Sequence, residues 1–217
     1  LVFVEKPARI LVVGLGGGSI PRFLHKHYPD AQIDCVELDP DVIAVAKQYF
    51  GFAEDKTMKA HAGDGRKFIE KVAQPYDLIF LDAFGADSIP YSLATREFLQ
   101  AVRKALTPRG FVVGNIWSRY SNPLHDSMVR TYQDVFEELY YFTVRGSGNR
   151  ILIAAPREMH LTRENVVAKA TVLSAREKFP FDAGGAASYG YSRLTGKELD
   201  GRVLTDAEGP PPETNGD

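Results

Sequence analysis

Apolar residues along this chain recur with two periods, one suited to strands and one to helices. Arg9 to Gly14 (RILVVG) is a short apolar, β-rich run, the pattern of a strand buried on both faces. Ser19 to His27 follows at helical spacing, and Ala31 to Glu37 (AQIDCVE) is the next strand. Pro40 to Phe50 predicts a helix, with Pro at its start and Gly51 just past its end. Met58 to Ala62 predicts a short strand, Gly65 to Val72 a helix, and Tyr76 to Asp82 (YDLIFLD) a strong strand. Ala94 to Leu106 is amphipathic, with Phe98, Leu99, Val102 and Leu106 along one face. Gly110 to Ile116 predicts a fifth strand and Pro123 to Phe136 a helix. Leu139 to Val144 and Arg150 to Ala155 read as a strand pair joined by Gly146-Ser147-Gly148-Asn149, a hairpin signal. Thr162 to Lys178 predicts one more helix.

Strands alternating with helices require crossover connections. The pattern predicts a doubly wound α/β fold with a mostly parallel, Rossmann-like sheet of seven strands and a C-terminal antiparallel hairpin. From Thr195 the composition turns to Gly, Pro and polar residues, so residues 1–194 read as one domain and 195–217 as a disordered tail.

Composition narrows the partners. Of 217 residues, 44% are hydrophobic, enough for one sizeable core and against wholesale disorder. The net charge is −2, so there is no basic excess to hold a phosphate backbone, and nucleic acid is not an expected partner. The single cysteine, Cys35, excludes an intrachain disulfide and a Cys-rich zinc site, and leans the expectation toward the cytoplasm. His25, His27 and His61 show no metal-ligand spacing and read as surface or packing residues. No apolar run approaches the ~20 residues of a membrane span, so no membrane is expected to bind this chain. Leu1-Val2-Phe3-Val4 lacks the basic leader of a signal peptide, and a chain that starts without Met reads as a fragment or processed product.

The most specific local feature is Gly14-Leu15-Gly16-Gly17-Gly18-Ser19, between the first strand and the first helix. Glycines let the backbone turn tightly and approach a ligand, and the helix start offers free N–H groups and a partial positive charge. Glu37 ends the second strand, where a carboxylate can accept from both hydroxyls of a ribose. Strand, loop, helix and acid in this order predict a nucleoside-containing cofactor. Asp64 follows the third strand and Asp82 ends the fourth. A row of acids suits an amine, ribose hydroxyls and a cationic sulfur, the groups of S-adenosylmethionine or its decarboxylated form. It suits a pyrophosphate badly, which argues against a nicotinamide oxidoreductase. The plainer readings are an Asx turn for Asp64 and a cap for Asp82.

Arg9 to Arg22, Cys35-Val36-Glu37-Leu38-Asp39, Gly63-Asp64-Gly65 and Tyr76 to Asp82 together resemble the spermidine synthase-like branch of the class I S-adenosylmethionine-dependent transferases. The similarity runs from about Pro7 to Ala155. The resemblance implies that Gly14, Gly16 and Gly18 line the methionine-like end of the cofactor. It implies Glu37 on the ribose, Asp64 with Gly65 at the adenine amine, and Asp82 beside the sulfonium and the incoming nucleophile. Asp82 is thus the candidate catalytic residue.

Two departures from the family pattern stand out. Aminopropyltransferases carry an acid in the glycine loop where this chain has Gly17, and a second acid after the fourth strand where it has Gly85. Asp87 is a candidate replacement for that second acid. The family's N-terminal β-rich domain has no counterpart in this sequence. Tyr91, Trp117 and Tyr120 are candidate walls of an acceptor pocket, with packing the plainer reading. Tyr140-Tyr141-Phe142 is a hydrophobic strand and a candidate homodimer contact. The expectation is alkyl transfer to an amine-type small-molecule acceptor, methyl ahead of aminopropyl. A polyamine aminopropyltransferase making spermidine from putrescine and a non-catalytic binding protein are the alternatives.

Overall fold

The computed structural model describes residues 2–83, 89–196 and 200–210. β1 (Arg9–Val13) lies inside the sheet, and its side chains alternate between two cores. Ile10 and Val12 pack with Leu24, Cys35, Ala46 and Leu78 on one face. Leu11 and Val13 pack with Ile79, Phe98, Leu99 and Val112 on the other. A strand covered on both sides has no outward position for a polar residue, which is why the residues after Arg9, Ile10 to Val13, are all apolar.

β2 (Gln32–Glu37), β3 (Met58–Ala62), β4 (Tyr76–Leu81) and β5 (Leu106–Asn115) join β1 in parallel pairing. β6 (Glu138–Thr143), β7 (Arg150–Ala155) and β8 (Tyr191–Leu194) complete the sheet in antiparallel pairing, in the order β3-β2-β1-β4-β5-β7-β6-β8. α1 (Ser19–His27) and α2 (Pro40–Tyr49) supply Leu24 and Ala46 to one face. α3 (Gly65–Glu70), α4 (Arg96–Lys104) and α5 (His125–Val135) cover the other through Ile69, Phe98 and Met128. α6 (Arg163–Arg176) and α7 (Ala183–Gly190) pack on Tyr140 of β6 through Val166, Ala170 and Ala187.

The structure corrects four expectations. The sheet has eight strands, not seven: β8, too short for a period to show, is stabilised by pairing Leu194 and Tyr191 with Leu139 and Phe142 of β6. Before it, α7 forms from a glycine-rich stretch of poor helix propensity. Its glycines let it sit close on α6, because a Cβ at Gly184 would lie 2.2 Å from Thr171 Oγ1. β5 begins at Leu106 rather than Gly110, because Leu106 pairs with Tyr76 and draws the chain into the sheet directly after α4.

The tail expected to be disordered from residue 195 instead packs where it is described. Leu204 is fully buried between α4 and α5, its N–H donates to Thr131 Oγ1 at 2.9 Å, and its carbonyl accepts from Arg96 N at 2.8 Å. One apolar side chain entering the core outweighs the polar composition around it. Tyr140 is likewise fully buried within its own chain, which removes it as a homodimer contact. Among the described residues no helix is long and apolar enough to cross a membrane.

Candidate functional site

The strand order reverses at β1, with β2 and β3 to one side and β4 and β5 to the other. Connections after β1 and β4 therefore diverge and open a crevice at the carboxyl ends of the strands. A cavity of about 710 Å³ lies there, lined by the glycine loop, the ends of β2 and β4, the start of α3 and residues Pro90, Ser92 and Leu93. That volume suits a cofactor-sized ligand.

Gly14 leaves β1 at φ +92°, a conformation L side chains avoid, and its Cβ position lies 2.4 Å from the carbonyl oxygen of Asp82. Only glycine lets the loop start this close to the end of β4. Gly16 and Gly17 line the cavity, while Gly18 does not. Gly18 instead sits at φ +72° with its Cβ position 2.9 Å from the Phe52 ring, so it serves the packing of α1 rather than the cavity. Gly18 also stands at the N-cap without a side-chain cap, which leaves first-turn N–H groups of α1 open beside lining residues Ser19 and Ile20.

Glu37 accepts from Leu15 N at 2.9 Å through Oε2 and from Asp39 N at 3.2 Å through Oε1. It thus fastens the glycine loop to β2, and as a lining residue of the cavity it keeps acceptor capacity beyond these two bonds. Asp39, a lining residue that the pattern analysis did not single out, caps α2 by accepting from Asp41 N at 2.8 Å. The Asp-Pro pair that opens α2 was the available signal. Asp64 caps α3, its Oδ1 accepting from Arg66 N at 2.8 Å and Lys67 N at 3.1 Å. The capping role and the cavity position coexist, because the cap uses one oxygen and leaves Oδ2. Gly65 follows it on the lining, its Cβ position 2.4 Å from Val13 Cγ1.

Asp82 stands just past the end of β4. Burial pushes its carboxyl above the usual carboxylate range, partly opposed by a hydrogen bond from Asn115 Nδ2 at 3.1 Å. Asn115 was missed in the sequence, although a lone polar residue at the end of GFVVGN marked it. Its Oδ1 is buried without a hydrogen-bond partner. Glu37, Asp39, Asp64 and Asp82 line one cavity with no basic side chain among its described residues. Such a field attracts a cation and repels a pyrophosphate.

The aromatic candidates do not gather here. Tyr91 donates from its hydroxyl to Thr205 O at 3.0 Å, Trp117 receives a hydrogen bond at its carbonyl from His125 Nδ1 at 2.8 Å, and Tyr120 is fully exposed. None of the three lines the cavity. Trp117 and Tyr120 follow β5 closely and Tyr91 stands further past β4, yet none is brought onto the cavity lining. Asp87 lies outside the described residues. Among the described residues no cluster of His, Cys, Asp or Glu is arranged to hold a metal ion.

Residues 1–155 match the family described as spermine/spermidine synthase domain. The chain belongs to that family. This spermine/spermidine synthase domain is 42% identical over 158 residues to a polyamine aminopropyltransferase of Vibrio vulnificus, covering 71% of the chain and 52% of that protein. It is 39% identical over 163 residues to the human eEF1A lysine and N-terminal methyltransferase, covering 70% of the chain and 23% of that protein. The chain thus spans about half the length of the first relative and a quarter of the second. Human methyltransferase-like protein 13, solved in complex with SAH, superposes with a TM-score of 0.73 at 35% identity, covering 83% of this chain and 86% of that one. A spermidine synthase bound to the transition-state analogue AdoDATO superposes at 0.64 with 21% identity, over 77% of this chain and 67% of that one, a likeness of fold. The aminopropyltransferase and the methyltransferase among these relatives are, by name, alkyl transferases of two kinds.

Proposed function

We propose that this domain transfers an alkyl group from an S-adenosylmethionine-type donor to an amine, with methyl transfer favoured over aminopropyl transfer. The observation that carries the reading is the convergence of Glu37, Asp64 and Asp82 with the glycine loop on one cavity free of basic side chains. Gly14, Gly16 and the uncapped start of α1 suit the donor's carboxylate end, as helix N-termini suit anions. Glu37 suits the ribose hydroxyls and Asp64 Oδ2 the adenine amine. Apolar Leu15, Leu38 and Val42 on the same lining suit the flat face of a base.

The donor supplies an electrophilic carbon on a sulfonium, with a neutral thioether as the leaving group. Asp82 holds the acceptor amine beside that carbon and takes its proton as the new C–N bond forms and the C–S bond breaks, the electron pair staying on sulfur. Its raised affinity for a proton makes Asp82 a better base than an exposed aspartate.

The preference for methyl transfer rests on Gly17. An acid at this loop position would grip the amine of a decarboxylated donor, and glycine cannot. A Cβ there would lie 3.2 Å from the Phe50 ring, so the loop as packed leaves little room for one. The second reading, aminopropyl transfer to a polyamine, is favoured by the 42% identity to the Vibrio vulnificus relative.

Calorimetric titration with both donors, followed by assay with putrescine, separates the readings. Tighter binding of S-adenosylmethionine and methylation of an amine are expected. Tighter binding of the decarboxylated donor with turnover of putrescine would install the second reading. Failure to bind either donor at millimolar concentration would leave a non-catalytic domain.

A further inference from the structure

The wall of the cavity formed by Pro90, Ser92 and Leu93 is not a sheet edge, yet its position sets the cavity's width. It is fastened both by the C-terminal segment and by α3. Tyr91, between two of these lining residues, donates to Thr205 O at 3.0 Å. Arg66 Nη1 donates to Ser92 O at 3.2 Å and to Asp206 Oδ1 at 2.7 Å, while Nη2 donates to Asp206 Oδ2 at 2.5 Å. Asp206 is itself held, its N–H donating to Glu97 Oε2 at 3.0 Å. The backbone of Arg66 supplies the first hydrogen bond that orients Asp64, so one residue touches both the Asp64 corner and the opposing segment.

We propose that Arg66 and Asp206 are positioning residues that set the separation between the Asp64 corner and the Pro90–Leu93 wall, so that the C-terminal segment governs donor affinity without touching the donor. A bidentate guanidinium–carboxylate pair fixes orientation as well as distance, which a single contact would not. The side chains of Arg66 and Asp206 are 20% and 41% exposed, so solvent screens the pair in part and the expected effect is moderate. The inference rests on the reading of the cavity as a donor site.

The test uses S-adenosylhomocysteine as probe and the full chain. Asp206→Ala should weaken binding by about threefold to tenfold in calorimetry, the range of a partly exposed charge pair. The KM for S-adenosylmethionine should rise in parallel, with kcat within roughly twofold, because the pair does not touch the reacting atoms. Asp206→Glu, which keeps the charge, should recover most of the affinity. Tyr91→Phe removes only the bond to Thr205 and should weaken binding in the same direction, which keeps the test open if Asp206→Ala does not fold. Wild-type affinity in both Asp206→Ala and Tyr91→Phe, whatever their melting temperatures, overturns the inference alone. A wild-type chain that does not bind the probe overturns the donor-site reading together with it.

Discussion

Asn115 Nδ2 donates to Asp82 Oδ1 across 3.1 Å, joining the end of β5 to the end of β4 at the rim of the cavity. This single amide partly offsets the burial that raises the Asp82 carboxyl above its ordinary value of 3.8. A positively charged sulfonium would complete the compensation, and a neutral thioether would not. The ratio of S-adenosylmethionine to S-adenosylhomocysteine affinity should therefore rise with pH through the acid range above 3.8 as Asp82 ionises, and level off beyond it. Parallel calorimetric titrations from pH 4.5 to 8 check this, and a flat ratio removes Asp82 from the sulfonium.

The same shift has a consequence for stability. A carboxyl whose folded pKa is raised contributes its stability in full below the unfolded value and loses it as pH rises through the folded value. The ionised Asp82 is thus a local cost at neutral pH. Asp82→Asn should leave the ligand-free chain at least as stable as wild type at pH 7, with the difference shrinking toward pH 4. The same variant should lower turnover by about 100-fold or more, as loss of a positioned base does, and should keep S-adenosylhomocysteine binding while S-adenosylmethionine loses the advantage the carboxylate gives it. Melting curves and rates on one preparation decide both points.

At Gly14 the prediction is steric. Alanine there would hold a left-handed backbone and place its methyl 2.4 Å from the Asp82 carbonyl oxygen. Gly14→Ala should cost roughly 2 kcal/mol or more in denaturant unfolding, and donor binding should fall below detection. Alanine at Gly16, whose Cβ position meets nothing within 4 Å, should fold with the strain of its φ of +51° alone. Equal losses at the two sites would show that the approach to Asp82 is not the constraint.

Leu204 tests the docking of the C-terminal segment. A fully buried leucine replaced by alanine should cost about 2–5 kcal/mol, against a few tenths for the half-buried Val203 beside it. A Leu204→Ala chain that unfolds at the wild-type denaturant midpoint would mean that the segment does not pack in solution.

Much of the fold was legible because its strands are strongly patterned. Ile10 to Val13 of β1 are buried on both faces, and Tyr76, Leu78 and Ile79 of β4 are buried with them, so burial is written into the apolar core of each strand. The acids at the ends of β2 and β4 and before α3 were legible because each follows a strand directly, and strand ends in a parallel sheet share one edge. Tyr91 and Trp117 were read onto the same edge, but Tyr91 stands well past β4, and Trp117, although it follows β5 closely, does not line the cavity either, because packing decides where such side chains turn. Gly18 was assigned to the donor by the family resemblance, whereas Phe52, far off in sequence, lies where a Cβ at that position would go.

The amino-acid order by itself determined the alternation of strands and helices, the crevice at their carboxyl ends and the acids that edge it. These depend on contacts near in sequence and on the two faces of each element. Only the tertiary structure decided that Glu37 ties down the loop, that Asn115 meets Asp82, that an eighth strand forms and that Leu204 draws the C-terminal segment into the core. Each of these joins distant segments, and a long-range hydrogen bond, a short strand pairing or one buried side chain leaves no periodic trace along the chain.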